Sequence, residues 1–440
     1  MSTLPQPSFF CWKDFDASPE ISRIASVLDA LPDEALVRSL EAARKKKRND
    51  YPLRALWRSA VAGILCGHGT IAALIRELAR NAELREICGF YEIQGEKLVP
   101  PADVYSRFFK KLAARQNLIQ EMFDNLLRDV TALLPDFGKV LAMDSKALPV
   151  RGKNTAGADT GTKRYEGNDG LAKCMTWFGY KLHLMVDAVY ELPVAFEVTA
   201  ASVGDSPRLM PMVRGLREKH AELYERVEEL SADKGYDDGA DKAELYDDHG
   251  VIPLIPPRNM LAKSETPIRP LDPKRHDAIY TGPTGEVYCK IAPMEPDPEK
   301  AFANMQFMGF EKDRNTLKFR CPAAAFGIEC RNRDACQCAP LVRDGSFGRV
   351  VRVPLDKDRR VFMPQHFHSQ GFEKAYKRRT AVERVNSRLD NIHGFENTAL
   401  RSQDRIALRI GLVMLVMLAS AKAWALAGKE ENIRSILLVA

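Results

Sequence analysis

The spacing of apolar residues changes near Gly138, and this change most limits the folds open to the chain. Before it, apolar side chains recur every three or four residues, as in residues 53–65 and 71–78, which predicts helices. After it come short apolar or alternating runs rich in Val, Leu and Phe, which predict strands. These runs are Lys139–Met143, Tyr180–Ala188 and Pro193–Val198. The sequence therefore predicts an all-helical N-terminal region followed by a mixed α/β layer.

A second change of character divides the α/β part. Residues 256–370 are rich in proline and charge and contain five of the nine cysteines, which indicates an insertion of loops and short strands. Helical spacing returns after Glu373. We therefore predict four parts: a helical domain at 1–135, the first part of an α/β core at 136–255, the insertion at 256–370, and the rest of the core with C-terminal helices at 371–440.

Composition gives broad limits. The chain is 45% hydrophobic and 28% charged, as soluble globular proteins are. A net charge of +6 is too small to establish nucleic-acid binding by itself. The N-terminus has no secretory signal pattern, and the apolar run Ile410–Ala421 is too short to span a bilayer. With nine cysteines and no signal, we expect a protein of the reducing cytoplasm that does not bind a membrane.

Three acidic residues stand in settings that suit a metal site. Asp144 follows the apolar run Val140–Met143, and Asp233 follows a second apolar stretch before Gly235. Glu383 lies on a strongly basic predicted helix. An isolated acidic residue is usually a solvated surface group, but a carboxylate at the edge of a buried strand needs a partner or a metal. Carboxylates suit hard cations such as Mg²⁺, and the cationic surroundings of Glu383 suit a polyanionic substrate.

The helix carrying Glu383 has a distinct face. At 100° per residue, Tyr376, Arg379, Glu383 and Asp390 lie on one side of a continuous helix. The plainer interpretation is that Arg379 and Glu383 form a surface ion pair worth a few tenths of a kcal/mol.

Together the three settings resemble the bacterial insertion-sequence DDE transposases, which have an RNase H-like catalytic core. Asp144 in Ala-Met-Asp-Ser looks like the first catalytic Asp, and Asp233 in Ala-Asp-Lys-Gly-Tyr-Asp like the second. Tyr376, Arg379 and Glu383 match the Tyr-x₂-Arg-x₃-Glu signature. The resemblance covers roughly residues 50–425 and includes Tyr51–Leu56, Cys88–Phe90 and Val104–Phe108 in the helical region.

The resemblance implies a function. Asp144, Asp233 and Glu383 would be catalytic and would hold two Mg²⁺ (or Mn²⁺) ions for phosphoryl transfer. The enzyme would cut DNA at the ends of its element and join the freed 3′-hydroxyl to target DNA. The helical domain would bind the terminal inverted repeats, and a homodimer or higher oligomer would bridge two ends. The expected location is the bacterial cytoplasm, on the nucleoid.

One position departs from this family. The signature usually has a Lys seven positions after its Glu, where it can contact DNA, and this chain has Asp390. An alternative is therefore a catalytically impaired DNA-binding protein derived from a transposase. A nuclease with the same core but no strand transfer is a third possibility.

Basic residues near the three acids predict DNA contacts. Two groups are expected to bind the backbone of double-stranded DNA. One is Tyr376, Arg379, Arg384 and Arg388 on the Glu383 helix. The other is Arg151, Lys153, Lys163 and Arg164 in residues 151–170, which we interpret as a polar, Gly-rich loop leaving the Asp144 strand.

The insertion contains a cysteine cluster. Four thiolates can form a tetrahedral zinc site, and the candidates are Cys289, Cys321, Cys330 and Cys336, with Cys338 as a fifth. Their spacing is irregular and lacks paired C-x₂-C knuckles, so free thiols in a loop-rich segment remain an equal alternative.

Overall fold

The chain forms two compact units. The computed structural model describes residues 18–44, 51–91, 98–150, 152, 155–166, 172–258, 260, 268–274, 278–292, 301–332, 348–395 and 402–434. The first unit comprises Met1–Arg226 with Thr380–Ala440, and the second comprises Val227–Arg379. The domain boundaries expected after residues 135, 255 and 370 stay predictions.

The first unit begins with helices throughout its described N-terminal part. They are α1 (Pro19–Ala30), α2 (Glu34–Ala42), α3 (Leu53–Leu65), α4 (Ile71–Arg80), α5 (Ala82–Cys88), α6 (Ala102–Ala113) and α7 (Gln116–Leu133). Side-chain caps define three of the starts: Ser18 accepts from the Ile21 amide, Thr70 from the Ala73 amide and Asn81 from the Leu84 amide. Gly89 ends α5 at φ 96°, in the left-handed region. The predicted helical N-terminal region is confirmed.

An antiparallel sheet follows these helices. Its strands are β1 (Val140–Pro149), β2 (Asp159–Glu166), β3 (Ala172–Asp187) and β4 (Pro193–Ala200), followed by helices α8 (Ser206–Lys219) and α9 (Ala221–Tyr224). The long strand β3 pairs with each of the other three. The predicted mixed α/β class is confirmed.

The described residues between 151 and 170 are not a simple loop, contrary to the prediction. They contain β2, and β3 begins at Ala172 rather than near Tyr180. The glycine content that suggested a loop has a packing reason at Gly161, where a Cβ would lie 2.6 Å from the Trp177 ring. Gly161 thus lets that indole cover β2, and the strand forms although its own sequence is polar.

The strand β1 is longer than predicted. Asp144 was expected to close it, but pairing with β3 continues from Asp144↔Leu184 to Pro149↔Gly179. What changes at Asp144 is burial: the four residues before it are buried, and Asp144 itself is half-buried. Asp144 therefore marks the end of the buried half of a continuous strand.

The second unit is built from short elements. They are β5 (Glu229–Ala232), α10 (Gly239–Ala243), β6 (Ile252–Leu254), β7 (Arg269–Pro270), β8 (Ile279–Thr281), β9 (Val287–Lys290), β10 (Phe302–Asn304), β11 (Gln306–Glu311), β12 (Thr316–Arg320), α11 (Pro322–Phe326), β13 (Val350–Pro354) and α12 (Gln370–Tyr376). Strands β5 and β6 are parallel, and the others form two antiparallel sheets in the orders β10-β9-β8-β7 and β11-β12-β13. Residues such as Leu317, Phe319 and Val353 give these sheets a hydrophobic core.

Two helices return the chain to the first unit. They are α13 (Thr380–Asn391) and α14 (Gln403–Leu426), and a 3₁₀ turn at Lys377–Arg379 separates α13 from α12. Within the described ranges, α14 alone is long and apolar enough to cross a membrane. The run Ile410–Ala421 is the middle of this 24-residue helix; most of the helix's apolar stretch is buried, and it packs against α7 and α1.

Candidate active site

Two of the three predicted acidic residues line one cavity in the first unit. Asp144 comes from β1 and Glu383 from α13, and α13 packs against β1 and β3. The cavity has a volume of about 370 Å³. Its lining is Asp144, Glu383, Asn386, Ser387, Asp390 and Asn391. A strand and a helix that are far apart in sequence therefore place two carboxylates at one opening.

The local structure fixes each carboxylate differently. The half-buried Asp144 accepts a hydrogen bond of 2.8 Å at Oδ1 from the Ser145 amide. The exposed Glu383 lies on the same face of α13 as Asn386 and Asp390, as offsets of three and seven require. The predicted helical face is thus present from Glu383 to Asp390, but the 3₁₀ turn interrupts the continuous helix assumed for Tyr376 and Arg379.

Asp233 belongs to the second unit. It follows β5, and its Oδ1 accepts the Gly235 amide at 2.7 Å, which caps the 3₁₀ turn Lys234–Tyr236. In the part of the chain described, no three His, Cys, Asp or Glu side chains are grouped so as to hold a metal ion. The meeting of Asp233 with Asp144 and Glu383 stays a prediction.

A buried ion network holds the segment after Asp233. Asp237 is fully buried and pairs with the Lys242 ammonium at 2.5 Å and with Arg360 at 3.2 Å. The Arg258 amide donates to the same carboxylate at 2.7 Å. Burial lowers the pKa of Lys242, and the Asp237 carboxylate opposes that shift. This network fixes the turn that carries Asp233.

The donor set of the cavity suits a hard divalent cation. Its lining offers carboxylate, amide and hydroxyl oxygens, with no thiolate or imidazole. Oxygen ligands of this kind are those that Mg²⁺ and Mn²⁺ prefer. Asp144 and Glu383 would be the anionic ligands that this unit supplies.

Asp390, the departure from the signature, forms an ion pair with a lysine of β1. Its Oδ2 accepts from the Lys146 ammonium at 2.5 Å. The Lys146 and Asp390 side chains are 13% and 29% exposed, so the pair is only partly screened by water. Lys146 comes two residues after Asp144 on β1. Lys146 was not predicted as a site residue, although its position two residues from a catalytic candidate on a strand was a signal.

Two predicted DNA-binding arginines have a structural partner. Arg384 Nε donates to Glu191 Oε1 at 2.6 Å, and Arg388 pairs with the other carboxylate oxygen of Glu191. Glu191 is 3% exposed and adopts φ 58°, a left-handed conformation that is rare outside glycine. It lies in the turn between β3 and β4, so these pairs fasten α13 to the sheet. DNA contact by Arg384 and Arg388 stays a prediction.

Replacing Glu191 by Gln should destabilise the first unit. The substitution keeps the side-chain size but leaves two guanidinium groups without their carboxylate. Removing one partner of a buried ion pair costs about 3–5 kcal/mol, and the partial exposure of the arginines reduces this to about 2 kcal/mol. Urea unfolding measures the difference. The matched control is Glu222→Gln, which breaks an exposed Glu–Arg pair with Arg226. Equal losses in the two variants would contradict the role assigned to Glu191.

The same turn has a buried carboxylate. Asp187 accepts amide hydrogen bonds from Gly138, Val189 and Tyr190. Burial nevertheless raises the pKa of Asp187 to about 6. On the same strand, burial lowers the pKa of His183 to about 4, and its Nε2 lies 3.0 Å from Thr199 Oγ1. The sheet behind the cavity therefore contains a neutral imidazole at neutral pH.

The remaining predicted DNA contacts are only partly described. The Tyr376 ring stacks on Phe372 at 5.4 Å, and the Arg379 guanidinium lies 5.5 Å from the Tyr376 ring centre. Lys163 is exposed on β2, and Arg164 follows it in that strand. Arg151 and Lys153 lie outside the described residues.

The zinc prediction finds no support in the described residues. Cys289 is buried in the core of the second unit, Cys321 is buried at the start of α11, and Cys330 is half-buried. In the described ranges none of the three belongs to a group of three or more His, Cys, Asp or Glu side chains that could hold a metal ion. Cys336 lies outside those ranges, so a structural zinc stays a prediction.

Comparison with known proteins identifies the family. The model of the transposase DDE domain matches residues 135–419. No curated protein matches the chain. A solved structure of the piggyBac transposase synaptic complex with hairpin DNA is similar at 10% identity and a TM-score of 0.37, covering 97% of this chain and 78% of that one. A likeness at that score carries no weight here. The family match spans well over half of the chain and includes Asp144, Asp233 and Glu383, so the chain belongs to the transposase DDE domain family.

Proposed function

We propose that this protein is a bacterial insertion-sequence transposase that cleaves DNA at its element's ends and joins the 3′-hydroxyl to target DNA. The observation that carries the proposal is the cavity where Asp144 of β1 and Glu383 of α13 meet, inside the matched DDE domain. The Tyr376, Arg379 and Glu383 signature supports the insertion-sequence assignment.

The proposed catalytic residues are Asp144, Asp233 and Glu383. They would bind Mg²⁺ or Mn²⁺, which would activate the attacking oxygen and stabilise the leaving oxygen. The ladder to β3 orients Asp144, and the Gly235 amide orients Asp233. Through Arg384 and Arg388, Glu191 holds the helix that carries Glu383.

Double-stranded DNA is the proposed partner. DNA is the partner expected for a member of the transposase DDE domain family. Tyr376, Arg379 and the basic residues of 151–164 are proposed to contact its backbone. A homodimer or higher oligomer would bridge two element ends. A reducing cytoplasm, which the nine cysteines of the sequence suit, is the proposed location.

The test is a cleavage assay on the DNA that flanks the reading frame. With Mg²⁺, the purified protein is expected to give 3′-hydroxyl nicks at the ends of the flanking inverted repeats and joined products with a second duplex. Nicks without joined products would instead indicate a nuclease.

The second candidate is a DNA-binding protein that has lost catalysis. Its support is Asp390, which occupies the position of the signature's Lys and adds a third carboxylate to the cavity lining. Specific binding of the element's ends without any metal-dependent cleavage would favour it and refute the transposase proposal.

A further inference from the structure

Lys146 and Asp390 form a charged pair beside the two carboxylates of the cavity. Asp144 and Lys146 point to the same side of β1 because they are two residues apart. Glu383 and Asp390 share a face of α13, seven residues apart. Strand β1 and helix α13 therefore contribute two neighbouring pairs of side chains. Asp144 and Glu383 form one pair at the cavity, and the Lys146 ammonium lies 2.5 Å from the Asp390 carboxylate in the other.

The distance between these two pairs suits neighbouring phosphates of a nucleic-acid backbone. Two residues along a strand advance about 7 Å, and seven along a helix advance about 10 Å. A lysine side chain can span much of that distance. The Lys146 ammonium is therefore within reach of a phosphate next to one held at Asp144 and Glu383.

The negative charge of the cavity lining is a reason for DNA to need the Lys146 ammonium there. The lining contains three carboxylates, Asp144, Glu383 and Asp390, which together repel a polyanion. The nearby cations Arg384 and Arg388 are paired with Glu191. Lys146 is a cation in direct contact with the lining residue Asp390, and Asp390 is more exposed than Lys146 itself.

The pair can exchange its acceptor for a phosphate. A phosphate oxygen is a charged acceptor like the Asp390 carboxylate, so it can compete for the ammonium. An ammonium also has three N–H donors, and one can stay on Asp390 while another binds phosphate.

We propose that Lys146 binds a DNA phosphate at the cavity, and that Asp390 holds its ammonium in position until DNA arrives. This inference rests on the proposed function, because it requires DNA to occupy the cavity. In this proposal Lys146 of β1 makes the phosphate contact that the signature's Lys would make from the helix, where α13 has Asp390 instead.

Salt-dependent DNA binding tests the proposal. The probe is a labelled duplex made from the DNA flanking the reading frame, titrated over a series of KCl concentrations in EDTA so that cleavage does not interfere. Losing one phosphate contact lowers the steepness of log K against log[salt] by about 0.9. Lys146→Met is expected to show this loss, and Lys146→Arg to retain the wild-type slope. The matched control is Lys139→Met, which removes an exposed lysine paired with Asp136 just before β1.

Asp390→Asn tests the holding role. It is expected to tighten DNA binding, and this gain should shrink when Lys146→Met is also present. A gain of equal size in both backgrounds would be a simple charge effect and would overturn the holding role. Folding of each variant is checked by its melting temperature.

Two further results would overturn the phosphate contact. One is a folded Lys146→Met variant with the same slope as Lys139→Met, which would make the ion pair purely structural. The other is a folded Lys146→Arg variant whose log K falls less steeply with log[salt] than that of wild type. Wild-type protein that binds DNA but never cleaves it would refute the proposed function, while the slope comparison would still decide the role of Lys146.

Discussion

Replacing Asp144 by Asn should abolish metal-dependent DNA cleavage while leaving DNA binding largely intact. A metal-bound carboxylate supports several kcal/mol of transition-state stabilisation, so the cleavage rate is expected to fall roughly a thousandfold or more. The fold should survive, because an Asn Oδ1 can still accept the Ser145 amide that Asp144 accepts. Single-turnover cleavage of the flanking-DNA duplex in Mg²⁺ measures the rate, and anisotropy in EDTA measures binding.

The control for this variant is Asp136→Asn. Asp136 is an exposed acid of the same unit that pairs with Lys139, outside the cavity lining. Its substitution is expected to leave cleavage within about twofold of wild type, since exposed pairs contribute little. Wild-type cleavage by Asp144→Asn would refute the site assignment.

The same assay decides whether Asp233 acts with the other two acids. Asp233→Asn keeps the acceptor for the Gly235 amide, and Glu383→Gln changes an exposed side chain. If the three acids share one metal centre, each single substitution alone should cause a comparable loss, and double substitutions should add little further. Cleavage that survives Asp233→Asn would remove Asp233 from the catalytic set.

The largest loss of stability is expected for Asp237→Asn in the second unit. The Lys242 and Asp237 side chains are 1% and 0% exposed, so the substitution leaves an ammonium buried without its carboxylate. Breaking such a pair from one side costs about 3–5 kcal/mol. The carboxylate also binds Arg360 and the Arg258 amide, and an Asn can replace only part of these contacts. Chemical denaturation followed by circular dichroism measures the change.

Two variants show whether the buried ammonium causes the loss. Asp247→Asn breaks a pair with Arg359 in the same unit, but Asp247 is 40% exposed and the cost should stay below about 1 kcal/mol. Adding Lys242→Met to Asp237→Asn removes the stranded charge and should recover part of the stability. A double variant no more stable than Asp237→Asn would contradict this explanation.

Local patterns predicted the helices well and the extent of the strands poorly. The apolar spacing of residues 53–65 predicted α3, which is buried along nearly its whole length. The strand β2 was missed because its stability comes from pairing with β3, as at Thr160↔Phe178, and from the Trp177 ring over Gly161. Those contacts are not local, so composition alone indicated a loop.

Individual residues of the candidate site were predicted from the sequence, but the contacts between them were not. The apolar run before Asp144 and the signature around Glu383 singled out the two carboxylates that share the cavity. The pair Lys146–Asp390 joins positions 244 residues apart, which no local pattern can show. In the sequence, Asp390 stands where the signature has a Lys, so a cation is missing from the helix. In the structure, Lys146 of the sheet places a cation beside Asp390.

Because β1 is paired continuously before and after Asp144, the two carboxylates of the cavity differ in how freely their backbones can move. Asp144 is anchored in a hydrogen-bonded ladder and cannot shift unless neighbouring strands shift with it. Glu383 is carried by a twelve-residue helix that side-chain ion pairs join to the sheet, Arg384 and Arg388 to Glu191 and Asp390 to Lys146. A backbone movement that narrows the gap between the two acids is therefore expected in that helix, with the strand as its fixed reference.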